Sequence, residues 1–448
     1  MKKTLYILLA TLCCSILSFA QDNKESIVLK SEGKALARIV LSIRAEGEVS
    51  IQGANSVKVD EQGRYVCVLP DSDDPEITLT ISASRILGLT LDQIVATSLD
   101  LRKAPSLTHL DCGRYGGGIQ GLDLSSLDNL VYLNCAGQEI ALLDLEKNKK
   151  LETLLCSRNK LSQLDVQLLK QLKELDCSQN QLTELDLTNL DKLESVNAAR
   201  NKIRSPKLGG LPHLKTLSLA ENPLEKVLKI DLPELLWLKV SRCGLEKLEL
   251  VNAPNLEALE CSENKLSSLN LANANTKIQA LDCFLNNIDG TEMGKLIASL
   301  PNWNDPTNPG NGKCYAVSCG VSVDDPDEME GNFAYENDIR EALSKQWIFY
   351  AKTKDGKEVQ YAGRPLSAQQ VANTEIVISP NPATDFVFIQ GVSPNTEVRI
   401  LDLSGKLLIE SLCRSDGILN LDVRTIPEGN YLIVINGSSQ KLAIVRQR

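Results

Sequence analysis

The strongest pattern in the chain is a leucine frame that recurs every 21 residues. Residues 151–171 read LETLLCSRNKLSQLDVQLLKQ, and residues 172–192 read LKELDCSQNQLTELDLTNLDK. Their shared frame is LxxLxCxxNxLxxLxL, with Val166 in the place of the last leucine in the first of the two. The same start falls at Leu193, Leu214, Leu235 and Leu256, at Leu130, and at Leu107 after a two-residue insertion around Gly116-Gly117-Gly118. A degenerate first copy begins at Ile86 and a last one at Ile278, after a one-residue insertion, which makes ten copies. The alternation of Leu154 and Cys156 predicts a short strand that turns both inward. Asn159 follows where the chain turns away, placed to hydrogen-bond backbone groups of neighbouring turns. Asn180, Asn201, Asn222, Asn264 and Asn286 hold the same place. Leu161, Leu164 and Val166 fill the other side of the coil. One copy cannot bury this ring of leucines alone, so the pattern predicts a solenoid stabilised by stacking, with one parallel strand per copy.

Cysteine follows the same frame. Cys112, Cys135, Cys156, Cys177, Cys261 and Cys283 share one position, and Ala198, Leu219 and Val240 fill it in the copies between. Replacement by apolar residues marks a core position, where a thiol acts as a compact hydrophobe. No CxxC spacing is present, which speaks against a zinc or iron–sulfur site. Cys314 and Cys319 lie outside the frame, and a disulfide between them requires a turn in the intervening chain.

The frame is that of a leucine-rich repeat. Copies of 21 residues with cysteine in the strand resemble internalin J-like leucine-rich repeat proteins of bacterial surfaces, over about 200 residues. The resemblance implies a horseshoe or gently curved rod used as an interaction surface. The departures are Ala198, Leu219 and Val240 in the cysteine position and Cys243 where asparagine is expected.

The flanks read as caps, which makes the expected fold class an α+β solenoid. Residues 21–85 contain the alternating runs IVLK, ARIVLSI and ITLTIS, which predict a β-rich N-terminal cap pairing into the first repeat. The repeat domain spans 86–289. Residues 290–363 predict a small α/β C-terminal cap: a helix over 290–300 with Thr291 as N-cap and Pro301 ending it, a strand near Cys314, a helix near 336–345, and a hairpin WIFYAKT/KEVQYAG turned at Asp355-Gly356. The acidic stretches around Asp324 and around Asp71, Asp73 and Asp74 lack an EF-hand pattern and read as solvated loops rather than calcium sites. A polar linker covers 364–373.

From residue 374 onward the chain becomes short alternating strands separated by turns, and this predicts a small β-sandwich over 374–448. Pro380-Asn381-Pro382-Ala383, Leu401-Asp402-Leu403-Ser404-Gly405-Lys406 and Pro427-Glu428-Gly429-Asn430-Tyr431 resemble the motifs of the type IX secretion C-terminal sorting domain, a family of Bacteroidota such as Porphyromonas. The resemblance implies contact with the type IX machinery, passage across the outer membrane, removal of the tail at a bond before Glu375, and attachment of the mature chain to surface lipopolysaccharide. At the other end, Lys2 and Lys3 precede an apolar run to Phe19, with Ser18 and Ala20 placed as small residues before a cut at Gln21. Residues 1–20 therefore read as a secretory signal peptide, and the run is too short for a spanning helix. No later stretch is long and apolar enough to cross a bilayer as a helix.

Composition narrows the chemistry. The 448 residues carry a formal net charge of −10, and loss of Lys2 and Lys3 makes it more negative, which argues against nucleic acid as a partner. His109 and His213 are the only histidines, leaving little room for a multi-histidine metal centre or a histidine-based triad. No cofactor or metal is expected. Residues 290–363 hold carboxylates but no histidine and no nucleophile elbow, so a hydrolase is the weaker reading. Binding is expected on the strand residues of the concave face. There the second place of the frame reads Gly88, His109, Tyr132, Thr153, Glu174, Ser195, Thr216, Trp237, Ala258 and Ala280, and the seventh contains Arg114, Arg158, Arg200 and Arg242. Tyr132, Arg158, Arg200 and a patch of Trp237, Lys239 and Arg242 are the candidates for a protein or glycan ligand, because Trp and Arg concentrate binding energy. Asp176, Glu221, Glu260 and Glu263 make the face mixed in charge. The expected role is a surface-attached interaction protein in adhesion, biofilm formation or host contact; a scaffold for other surface proteins differs from it only in partner.

Overall fold

The computed structural model describes residues 24–32, 38–70, 76–92, 96–113, 117–271, 277–303, 312–319, 332–353, 358–363, 377–390, 396–413, 418–435 and 438–446. The signal-peptide reading, the linker, Arg114, the two acidic stretches and the Asp355-Gly356 turn lie outside the described residues, as does the side chain of Cys319. The chain forms two compact units, Met1–Asn286 and Asn287–Arg448.

In the first unit each coil from Leu107 onward contributes a three-residue strand to the sheet, such as Thr153–Leu155, Glu174–Asp176 and Ser195–Asn197. Neighbouring strands pair in parallel without slippage. Gly88 faces His109, His109 faces Tyr132, and the register continues through Thr153, Glu174, Ser195, Thr216, Trp237 and Ala258 to Ala280. The predicted second-place column is therefore one row of side chains across a continuous parallel sheet. The middle residue of each strand points inward: Leu133, Leu154, Leu175, Leu238 and Leu259 are fully buried. Cys112, Cys135, Cys156, Cys177, Cys261 and Cys283 line up behind them, all buried. Burial, foremost, pushes the Cys135 and Cys177 thiols up to about 12.

Register depends on the asparagine position. Asn180 Nδ2 donates to the carbonyls of Cys156, Cys177 and Ser178 at 3.0, 3.1 and 3.2 Å, while its Oδ1 accepts from Leu161 N–H at 3.0 Å. One amide thus ties the turn to its own strand and to the coil before it. Gln138 does the same work in its copy, donating to Cys112 O and accepting from Ile119 N–H, a substitution the frame did not reveal. Cys243 keeps part of it, with its thiol donating to Leu219 O at 3.3 Å. It offers no matching acceptor, and Leu224 N–H bonds to Asn222 O within its own copy instead. The seventh place is left-handed in every described copy: Arg158, Gln179, Arg200, Glu221, Arg242, Glu263 and Leu285 have φ between 52° and 59°, and Gly137 has 72°. A side chain there costs about 1 kcal/mol, a local conflict that stacking overrides.

The N-terminal strands 25–32, 50–52, 76–83 and 96–103 form an antiparallel sheet. Strand Arg85–Leu91 belongs to the solenoid sheet and marks its change of direction: it pairs in parallel with His109–Asp111 and antiparallel with Arg38–Glu46. The sheet edge that an open solenoid would expose is thereby covered.

In the second unit the helix Gly290–Ser299 is capped by Asp289, whose Oδ1 accepts from Glu292 N–H at 2.9 Å. This corrects the expectation for Thr291: an aspartate two residues earlier reaches the third N–H of the helix, so Thr291 lies inside it. The carbonyl end is held by Lys345, which donates to Ile297 O and Ala298 O. Asn332 Oδ1 accepts from Ile288 N–H at 2.8 Å, the bond that the frame asparagine makes in earlier copies, here supplied from 44 residues away. Strand Gly312–Cys319 pairs in parallel with Trp347–Thr353, which forms the predicted hairpin with Glu358–Gln360. The tail is two antiparallel sheets, of three and four strands, over a core that includes Val387, Ile389, Val398, Ile400, Ile433 and Leu442. None of the described helices is long and apolar enough to cross a membrane.

Candidate functional site

Because side chains alternate along a strand, the residues flanking each inward leucine face outward together. In the strands Ser195–Asn197, Thr216–Ser218 and Trp237–Lys239 these are Ser195, Asn197, Thr216, Ser218, Trp237 and Lys239. They line a recess of about 430 Å³. Trp237 is 50% exposed, and the small side chains in the two preceding coils leave one side of its indole uncovered. Thr216 Oγ1 donates to Ser195 Oγ at 2.7 Å, so two of the lining hydroxyls already bond one another.

Of the expected cations, Lys239 lines this recess, and Lys239, Arg242 and Arg200 each have a charge partner. Lys239 Nζ pairs with Glu260 at 2.5 Å, Arg242 Nε with Glu263 at 2.7 Å and Arg200 Nε with Glu221 at 2.8 Å. In each pair the partner is one coil, 21 residues, further on. Glu263 holds the Arg242 guanidinium above its usual range. Arg158 is exposed in the same column. The spacing of opposite charges by 21 residues was the available signal for this neutralisation. Tyr132 lies several coils from Trp237 and belongs to a different group. Its ring stacks on His109, with centroids 6.0 Å apart, and Arg44 Nη2 reaches His109 Nδ1 at 2.9 Å and Thr108 Oγ1 at 2.8 Å. Partial burial, then the charge of Arg44, lowers the His109 pKa. Among the described residues no cluster of His, Cys, Asp and Glu is arranged to hold a metal.

The three tail motifs are built around turns. Asn381 Nδ2 donates to Lys441 O at 2.8 Å and its Oδ1 accepts from Ala443 N–H at 2.9 Å, fastening the Pro380-Asn381-Pro382 segment to the last strand. Asp402 Oδ1 accepts from Ser404 N–H, Ser404 Oγ and Lys406 N–H at 2.8, 2.6 and 3.0 Å. These bonds, that of the Ser404 hydroxyl foremost, hold its carboxyl below the usual range. Gly405 supplies the φ of 87° that this turn needs. Tyr431 Oη donates to Pro427 O at 2.8 Å across Gly429. Arg446, which carries no motif, donates to the carbonyls of Thr384, Val423, Arg424 and Ile426.

Residues 377–446 match the family model of the secretion system C-terminal sorting domain. Such a tail directs export by type IX secretion to the outer-membrane surface or beyond. Among solved structures, the functional domain of InlJ from Listeria monocytogenes, which includes a cysteine ladder, is 19% identical with a TM-score of 0.45, covering 78% of this chain and 74% of that one. YopM from Yersinia enterocolitica is 26% identical with a TM-score of 0.36, covering 48% of each chain. PorZ, a surface component of the type IX secretion system of Porphyromonas gingivalis, is 18% identical with a TM-score of 0.17 over 28% of this chain and 18% of that one. No curated protein matches the chain. The chain is a leucine-rich repeat protein with a cysteine column in its core, and its residues 377–446 belong to the secretion system C-terminal sorting domain family.

Proposed function

We propose that the exported chain is a non-enzymatic surface protein that binds a protein or glycan partner on the strand face around Trp237, in adhesion, biofilm growth or host contact. The observation that carries this reading is the recess walled by the half-exposed Trp237 on a face whose nearby cations are paired with glutamates. An indole beside small hydroxyl side chains offers a flat apolar platform with few long side chains to order, which is how a binding hot spot concentrates its energy. Pairing of Lys239 and Arg242 leaves little net charge, so contact rests on shape and apolar area, with the ions setting orientation. In the same reading the tail is removed within 364–373 and the mature chain is held on lipopolysaccharide.

The test is attachment of cells displaying the full-length protein. Trp237→Ala is expected to lower attachment roughly tenfold, the scale of a hot-spot tryptophan, with the melting curve unchanged. Combining it with Lys239→Ala and Arg242→Ala should add little. Full attachment by the folded Trp237→Ala variant would refute the site.

A further inference from the structure

A second surface lies away from the strand face, and two side chains in it break the repeat. Leu142 occupies a frame position that is Gln163, Glu184, Ser205, Lys226 and Lys247 in later copies. Leu168 occupies one that is Lys147, Asn189, Asp231 and Asn252 elsewhere. Both are polar positions facing water, and both leucines are open to it: Leu142 is 62% exposed and Leu168 46%. They come from successive coils, yet they line one recess of about 410 Å³ together with Asp144, Glu146 and Asp165. It adjoins a second recess of about 620 Å³, which shares Gln163 and Asp165 and adds Glu184 and Asp186. Among the described residues Glu146 pairs with Lys147 and Asp186 with Lys207, whose charge Glu184 also feels, whereas Asp144 and Asp165 have no ion-pair partner.

We propose that this groove docks a cationic, apolar-anchored peptide segment of another protein. The two leucines supply the apolar contact that neighbouring copies lack. The carboxylates of Asp144 and Asp165, together with the acidic Glu184 beside them, select lysine or arginine beside the anchor and repel acidic segments. A second copy of this chain is the poorer occupant, because its own charge is strongly negative. The groove acts independently of the Trp237 site, on different residues.

The probe is a fluorescent peptide of alternating leucines and lysines, titrated onto the mature chain by anisotropy. A peptide with glutamate in place of lysine is the control, and amide hydrogen exchange reads the footprint. The lysine peptide should bind with protection centred on residues 142–168, and the glutamate peptide should not bind. Leu142→Gln with Leu168→Asn should weaken binding by at least about tenfold, since both anchors lose their apolar burial. These variants place in each copy what the next copy already carries there, so folding is preserved. Asp144→Asn, Asp165→Asn and Glu184→Gln together should weaken binding to a similar degree and flatten its salt dependence. The two asparagines keep the oxygen that accepts from Glu146 N–H and Gln167 N–H. Trp237→Ala should bind the peptide as the parent does. Unchanged affinity in either groove variant, equal binding of the glutamate peptide, a footprint on the strand face, or self-association through residues 142–168 would each overturn the proposal.

Discussion

At the scale of single residues, the frame asparagine is the clearest case of a small group deciding stability. Its amide closes a turn against three carbonyls and one N–H, all removed from water. Asn180→Ala would leave those partners buried without replacement, at roughly 1–3 kcal/mol for each one that finds no other partner. We expect a loss of about 3 kcal/mol in denaturant unfolding. A loss below about 1 kcal/mol would mean that water enters the coil and satisfies them. The cysteines behave differently. Desolvation holds Cys135 and Cys177 protonated far above neutral pH. A thiol reacts as its thiolate, so alkylation at about pH 8 followed by peptide mapping should leave both unmodified in the native chain and label both after unfolding. Modification at the native rate of an exposed cysteine would show that the core opens readily.

At the scale of elements, the frame sets where strands begin and the partner coil sets how they are used. A three-residue strand is too short to stand alone, and it exists because strands on both sides supply its hydrogen bonds. The same logic governs the tail, where turns carry the motifs. Tyr431 gives one hydroxyl to Pro427 O across its turn. Tyr431→Phe removes that bond and leaves the ring in place, so the tail should lose about 1 kcal/mol in thermal unfolding with its strands intact. No measurable change would show that the ring alone fixes the turn. Arg446 shows what motifs leave out. It gathers carbonyls from two segments that are distant in sequence, and nothing in its local sequence marks it.

At the scale of the whole molecule, the chain combines a leucine-rich repeat solenoid with an export address. Deletion of 374–448 removes the sorting domain and leaves the repeats untouched. The truncated chain should accumulate in the periplasm and disappear from the cell surface, as read by protease accessibility on intact cells. Surface display of the truncated chain would contradict that role for the tail.

What the sequence determined by itself was everything that repeats. Leu154, Cys156 and Asn159 recur at fixed spacing, and stacking identical coils converts spacing directly into register, so the order and facing of the strands could be read without coordinates. The tail motifs were legible for a related reason, because each is a local turn whose residues are close in sequence. Tertiary structure decided what depends on neighbours from other coils or distant segments. It paired Lys239 and Arg242 with glutamates, opened a recess beside Trp237, brought Leu142 and Leu168 to one groove, and placed Asn332 where a missing repeat would have put its asparagine. A one-dimensional frame specifies which side chains face outward, but charge pairing and cavity shape arise only when several coils stand side by side.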